Sequence, residues 1–299
     1  MDVVAVVVTY NRKDLLKVCL NSLKEQTFSL RRIIVIDNFS SDGTSEYLAC
    51  LDNQPIDVIS LQENIGGAGG FVQGLKYAMR KYPDSYYWLM DDDGYPEINC
   101  LELLVGGLKK YSVESISPLQ INIFDKSKLS FPIPFFGLSN IVNVADLPKK
   151  EFLPQAANLF NGLLINKLTI DEVGLPREEL FIRGDEVDFT KRMHLNLIRF
   201  GMLLPAIFYH PSDMNERIPL FGNKIITRDA NSNFKNYYLF RNRALSFKED
   251  NRKYLIYIDF IRYMVYFLIK KKMDIKGLKL WCTATIDGVK GRLGRHPKY

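Results

Sequence analysis

The chain has 299 residues, 47% of them hydrophobic and 25% charged, with a formal net charge of +6 and four cysteines. Such a hydrophobic share excludes a disordered chain and is enough for one large domain with an appendage. Cys19, Cys50, Cys100 and Cys282 are widely separated and show no CxxC spacing, so neither a zinc framework nor a disulfide-stapled domain is expected, and a reducing cytoplasm fits.

Val3 to Val8 is a short all-apolar run rich in β-branched residues, as in a strand buried on both faces, and Leu15, Leu16, Cys19, Leu20 and Leu23 then recur at helical spacing. Ile33 to Ile36 makes a second buried strand ending at Asp37. A Ser-Ser-Asp-Gly turn leads to a short helix over 44–51, and Ile56 to Leu61 reads as a third strand. Glycine-rich residues 66 to 70 open a helix to about Tyr82. The fourth strand, Tyr86 to Met90, then delivers Asp91, Asp92 and Asp93 into a turn at Gly94.

This alternation predicts an α/β domain with a mainly parallel sheet flanked by helices and ligands at the carboxyl ends of the strands. Four polar or glycine-rich segments then gather on one edge: Thr9-Tyr10-Asn11-Arg12, Asp37-Asn38, Asn64 to Gly70, and Asp91 to Asp93. Three adjacent carboxylates need water, basic side chains or a cation to offset their charge, and Mg2+ or Mn2+ suits an oxygen-rich site that leaves positions for phosphates. Asp37 can accept a hydrogen bond from a base N–H, and Arg12 can meet a phosphate. Gly66-Gly67-Ala68-Gly69-Gly70 lacks the Lys-Ser/Thr of a P-loop and follows the third strand, which disfavours an ordinary NTPase or dehydrogenase.

Val7-Val8-Thr9-Tyr10-Asn11-Arg12, Ile36-Asp37-Asn38 with Ser41-Asp42-Gly43-Thr44, Asn64-Ile65-Gly66-Gly67 and Asp91-Asp92-Asp93 occur in an order that resembles inverting glycosyltransferase family 2, with the GT-A fold. The resemblance covers about residues 3 to 210. Within that family, the stretch from Asn64 to Phe71 followed by Trp88 to Asp93 looks most like bacterial galactofuranosyltransferases and rhamnosyltransferases. It implies that Asp37, Thr9, Tyr10, Asn11 and Arg12, with Asn64, Gly66, Gly67 and Asp92, hold the nucleotide-sugar donor, and that Asp91 and Asp93 share the metal and diphosphate work.

Phe181-Ile182-Arg183-Gly184-Asp185-Glu186-Val187-Asp188 places acids at a turn opening a helix, where the helix dipole alone would favour them. The resemblance gives this motif the catalytic base, matched best by Asp185 with Glu186 second, since inverting transfer needs a carboxylate to take the acceptor hydroxyl proton. His210 lies 25 residues beyond Asp185, much as a metal-binding His does in the galactofuranosyl relatives, and a neutral imidazole with two carboxylates would suit Mn2+. Residues 211 to 233 read as a long loop, with Pro211, Ser212, Asp213, Asn215, Pro219, Gly222 and Asn223 and little periodicity. Tyr237-Tyr238-Leu239-Phe240-Arg241-Asn242 resembles a family segment in which Arg241 would meet diphosphate or acceptor, the plainer alternative being a helix with a basic outer face.

Domains are expected at 1–233, catalytic, and 234–299, a basic helical extension. From Arg241 to Tyr299 fifteen Lys/Arg stand against five Asp/Glu, a net +10, which leaves −4 on the first 240 residues. Tyr254 to Ile269 is almost wholly apolar and ends in Lys270-Lys271-Lys272, too short and interrupted to span a bilayer but suited to an anionic membrane surface. No basic segment precedes the first strand, so a secretory signal is not expected. The expectation is a cytoplasmic enzyme peripheral to the inner face of the membrane. It would move galactofuranose from UDP-galactofuranose to a glycan or polyprenyl-linked acceptor, with dTDP-rhamnose as the alternative donor and no nucleic-acid partner. A binding protein that has lost catalysis would need no base, and a nucleotidyltransferase would carry a glycine- and basic-rich loop after the first strand.

Overall fold

A computed structural model describes residues 1–51, 54–135, 137–212, 214–222 and 225–299. The chain packs as two compact units: residues 1–176 with 189–212, and residues 177–188 with 213–299. The short segment 177–188 groups with residues 213–299.

The first unit runs β1 (Val3–Thr9), α1 (Lys13–Lys24), β2 (Arg32–Asp37), α2 (Thr44–Ala49), β3 (Ile56–Ser60), α3 (Gly66–Lys81), β4 (Tyr86–Asp91), β5 (Tyr95–Pro96), α4 (Cys100–Tyr111), β6 (Ser115–Asn122), β7 (Phe152–Pro154), β8 (Asn161–Ile165), α5 (Lys167–Val173), α6 (Asp185–Leu195, its first turn counted with the second unit) and β9 (Phe200–His210). The sheet order is β3-β2-β1-β4-β8-β6-β9-β5, with β7 also on β9. β3, β2, β1 and β4 are parallel, and β6 is parallel to β9, whereas β8 runs antiparallel to both its neighbours and β5 and β7 antiparallel to β9.

β1 is buried along its whole length because both faces are covered. Val3, Ala5 and Val7 meet Leu16, Leu20 and Leu104 on one face, and Val4, Val6 and Val8 meet Phe71, Leu75 and Ala78 on the other. Each fully buried Val or Leu contributes about 1.5–3 kcal/mol, so the central strands fix the register of everything at their ends. That register sets Thr9 opposite Asp37 and Val8 opposite Asp91. Two glycines bring α3 close: a Cβ on Gly70 would stand 2.6 Å from Val8, and one on Gly74 only 2.4 Å from Val6.

The second unit holds a hairpin of β10 (Arg217–Leu220) and β11 (Ile225–Arg228), then α7 (Asn233–Glu249), α8 (Tyr254–Met264), a π-helical segment Val265–Lys270 and α9 (Ile275–Lys290). Phe181, Tyr237, Tyr238, Phe240, Tyr263, Tyr266, Phe267 and Trp281 form its core. The hairpin corrects the reading of 211–233 as a structureless loop: Ile218 pairs with Thr227 and Leu220 with Ile225, and Leu220 and Thr227 are buried. Asp213 and Asn223 lie outside the described residues.

Candidate active site

At the carboxyl edge of the first unit, β4 ends in the three aspartates, and each has a different environment. Asp92 is buried, accepting from Thr9 Oγ1 at 2.6 Å and from Arg12 at 3.0 Å. Arg12 also reaches Asp93 at 2.7 Å. Asp92, expected at the donor, also braces β1 to β4, and Arg12, expected at a phosphate, also offsets the charge of two carboxylates.

Burial, and then the charges of Asp93 and Asp92, push Asp91 up to about 8. Burial likewise raises Asp92 to about 6, moderated by Arg12 and Thr9. Burial would raise Asp93 too, but its contact with His210 and the charge of Arg12 hold it down to about 2. Burial and like charge acting together on Asp91 mark an acidic corner short of positive charge.

His210 ends β9, buried, with its ring against Phe131. Its Nδ1 lies 2.6 Å from the Pro211 carbonyl oxygen, which can only accept, so Nδ1 carries a proton. Nε2 then faces Asp93 Oδ1 at 2.9 Å, and apart from His210 that buried oxygen has no hydrogen-bond partner among the described residues. In a neutral ring two acceptors would oppose each other, so the pair calls for a proton or a cation. The spacing matches neighbouring ligand atoms around an octahedral ion of the Mg2+ class, about 3 Å apart. A ring N–H given to a backbone carbonyl is the usual companion of a metal-bound histidine.

Gly94 makes the approach possible, since a Cβ there would stand 2.4 Å from the Phe208 ring, 2.8 Å from the Tyr209 carbonyl oxygen and 3.1 Å from the His210 ring. Among the described residues, however, no three His, Cys, Asp or Glu side chains are gathered to hold a cation. Of the expected set Asp91, Asp93 and His210, Asp93 and His210 are in direct contact, and Asp91 stands two residues before Asp93 at the end of β4.

The loops around the corner are tied to one another. Asn11, at φ +53°, accepts from Ser41 N at 2.7 Å, and its own N–H donates to Ser40 Oγ at 3.0 Å. Asp37 is almost wholly buried and accepts from Ser40 N and from Ser45 Oγ, so a base N–H could use only a remaining lone pair or displace a serine. Asn38 accepts from Ile65 N and donates to the Gly66 carbonyl, while Asn64 accepts from Gly66 N. Gly66 needs its freedom at φ +79°. Gly67 borders open space, with nothing within 4 Å of a Cβ, and Tyr10 is exposed.

In the second unit the acidic turn is built by two residues of α7. Phe181, Arg183 and Gly184 all have positive φ, at 67°, 61° and 98°. Asn242 Nδ2 holds this backbone, donating to the carbonyls of Leu180 at 2.9 Å, Ile182 at 3.0 Å and Arg183 at 2.6 Å. Arg241 is 1% exposed and its guanidinium donates to the carbonyls of Gly294, Glu179 and Leu180 and to Asn242 Oδ1. Arg241 is therefore an internal clamp. Its burial corrects the expectation of a basic outer face. Arg183 is fixed in turn by a two-pronged pair with Glu216 at 2.8 and 2.9 Å. Asp185 lies buried at the first turn of α6, while Glu186 caps that turn by accepting from Gly184 N.

The family model for glycosyl transferase family 2 matches residues 4–161, more than half of the chain. The chain belongs to glycosyl transferase family 2. Galactofuranosyltransferase GlfT1 of Mycolicibacterium smegmatis is 32% identical over 99% of this chain and 97% of its own length. GlfT1 of Mycobacterium tuberculosis is 34% identical over 100% and 97%. Among solved structures, S. aureus TarS superposes with a TM-score of 0.60 at 18% identity, covering 97% of this chain and 49% of TarS. GalNAc-T7 with UDP, GalNAc and Mn2+ gives 0.56 at 17% identity over 71% and 44%. These neighbours establish the GT-A fold.

For this family 2 glycosyltransferase, the first unit thus brings together Thr9 to Arg12, Asp37, Asn64, Gly66, Asp91 to Asp93 and His210 through direct bonds or adjacent register. Ser40, Ser45, Glu216 and Asn242 are structural members of these sites that sequence reasoning passed over. Only Asn242 carried a signal, as the neighbour of Arg241.

Proposed function

We propose that the chain transfers galactofuranose, with inversion, from UDP-galactofuranose to a hydroxyl of a glycan or lipid-linked saccharide. The supporting observation is the full-length similarity to GlfT1, at 32–34% identity, which runs through both units and so includes the Asp185 turn as well as the acidic corner. Asp185 is the base: the acceptor oxygen bonds to the anomeric carbon, the bond from that carbon to the diphosphate breaks, UDP leaves with the electron pair, and the hydroxyl proton passes to the carboxylate. Asp93 Oδ1 and His210 Nε2 would hold a divalent cation, which when bound offsets negative charge on the departing diphosphate. Thr9 and Arg12 keep Asp92 and Asp93 in place, and the backbone at Gly66 and Gly67 lines the donor side.

The test is competition between UDP-galactofuranose and dTDP-rhamnose in one reaction with a galactose- or rhamnose-terminated acceptor. A pocket built for one sugar should prefer it by well over tenfold, because unmatched hydroxyls leave buried groups unpaired. Preferential rhamnose transfer would overturn the donor, and binding of both donors without turnover would overturn the enzyme reading.

A further inference from the structure

We propose that the solvent side of α8, with the cleft that continues it, is a docking surface for an anionic lipid bilayer: acyl chains would lie against Tyr257, Ile258, Ile261 and Ile269, and lipid phosphates would meet the exposed lysines Lys253, Lys272, Lys276 and Lys279.

α8 and the π-helical segment after it are hydrophobic on two faces where one would suffice for packing. The inner face is already satisfied, with Tyr263, Tyr266 and Phe267 in the aromatic core and Asp259 paired to Arg243 and Arg262. The outer face repeats at helical spacing through Tyr254, Tyr257, Ile258 and Ile261, of which Tyr257 is 73% and Ile261 64% exposed. It runs on to Val265 and Ile269, which line a cleft of about 440 Å3 with Pro219, Leu220, Phe221 and Lys270. Phe221 and Ile269 are themselves exposed at that cleft.

The charge around the stripe selects the occupant. Lys270 donates to the Pro219 carbonyl and Lys271 pairs with Asp229, but Lys253, Lys272, Lys276 and Lys279 are exposed and make no ion pair with a described residue. A second copy would bring the same cations against these, which repels. Nucleic acid would match the lysines but not isoleucines. An anionic bilayer matches both: tyrosines suit the headgroup level, isoleucines the acyl boundary, and lysines reach the phosphates. The π-helical turn, a distortion often found at functional sites, falls where the stripe meets the cleft.

Vesicle binding by the full chain tests this without any sugar transfer, so its outcome is separable from that of the proposed reaction. Binding to phosphatidylcholine vesicles containing phosphatidylglycerol should be about tenfold or more tighter than to phosphatidylcholine alone and should weaken with salt. Ile258→Glu with Ile261→Glu, both at exposed positions, should lower it by about tenfold or more with an unchanged melting curve. A Tyr257→Trp probe should be quenched by brominated acyl chains. Absent binding to anionic vesicles, equal binding by the double variant, or an unquenched probe would each overturn the proposal. So would a dimer that the double variant splits while vesicle binding is unaffected, which would make the occupant a second copy.

Discussion

Replacing Asn242 with alanine tests how the acidic turn is held. One side-chain amide faces three buried carbonyls and accepts from the Arg241 guanidinium. Two N–H groups can make only two full bonds, worth about 1 kcal/mol each, and loss of the acceptor strands a buried charged donor at about 1.5–3 kcal/mol. With partial relaxation the variant should be less stable by about 3–4 kcal/mol, lowering the melting temperature by roughly 6–15 °C. The turn at Phe181, Arg183 and Gly184 would lose its anchor, and a misplacement on the order of 1 Å at a reacting group costs about 100-fold. Assayed well below both melting temperatures, kcat should fall by about tenfold to 100-fold with little change in donor KM. In an Asp185→Asn background the same substitution should have almost no further effect on kcat, because its influence runs through that carboxylate. An equal loss in both backgrounds, or a destabilised variant with wild-type kcat, would refute the positioning role.

Asp185→Asn should retain donor binding, measured calorimetrically, and lower transfer by about 100- to 10,000-fold, whereas near-normal turnover would shift the role to another group. EDTA should abolish transfer and Mn2+ or Mg2+ restore it, with His210→Ala and Asp93→Ala each raising the metal concentration needed; full activity in chelator would exclude the cation. Burial would raise Asp57, but Tyr82, Lys81 and Arg32 hold it below the usual carboxylate range. Its contribution to stability is therefore complete above the unfolded value of about 3.9 and lost as pH falls through the lower folded value. Asp57→Asn should flatten that acid limb of the urea midpoint against pH, and an unchanged limb would show the network contributes nothing.

The first half of the fold was legible because buried parallel strands leave all-apolar runs that no other local structure explains. Val3–Thr9 and Arg32–Asp37 extend the expected strands by one residue at an end or both, and the acids at their carboxyl ends follow from register. Later strands were less so. β8 is only five residues and β7 three, and β8, β7 and β5 add antiparallel pairing that no helix–strand alternation announces. The hairpin within 211–233 is hidden because its strands have four residues each and include a proline. The setting of Arg241 is hidden for a different reason: a charge within a helix looks the same in sequence whether it faces water or a ring of carbonyls, and only the fold brings Gly294 and Leu180 to it. Sequence places Asp92 and Arg12 on one edge but does not show that they bond to each other.

The acidic turn is completed by a residue made long after it. Gly294 accepts from Arg241 and donates its own N–H to the Glu179 carbonyl, and Tyr237 and Tyr238 pack against or bond residues 296–299. During synthesis at about 5–20 residues per second, the segment around Asp185 emerges roughly 5–20 s before the stretch that closes it. For about the first half of that interval its positive-φ backbone lacks the Asn242 and Arg241 clamp, and for all of it Gly294 is missing, so the nascent chain carries its candidate base in an incompletely set turn. Activity should therefore appear only once residues near 294 have cleared the ribosome, and a stalled chain ending before them should be inert even with its sheet fully formed.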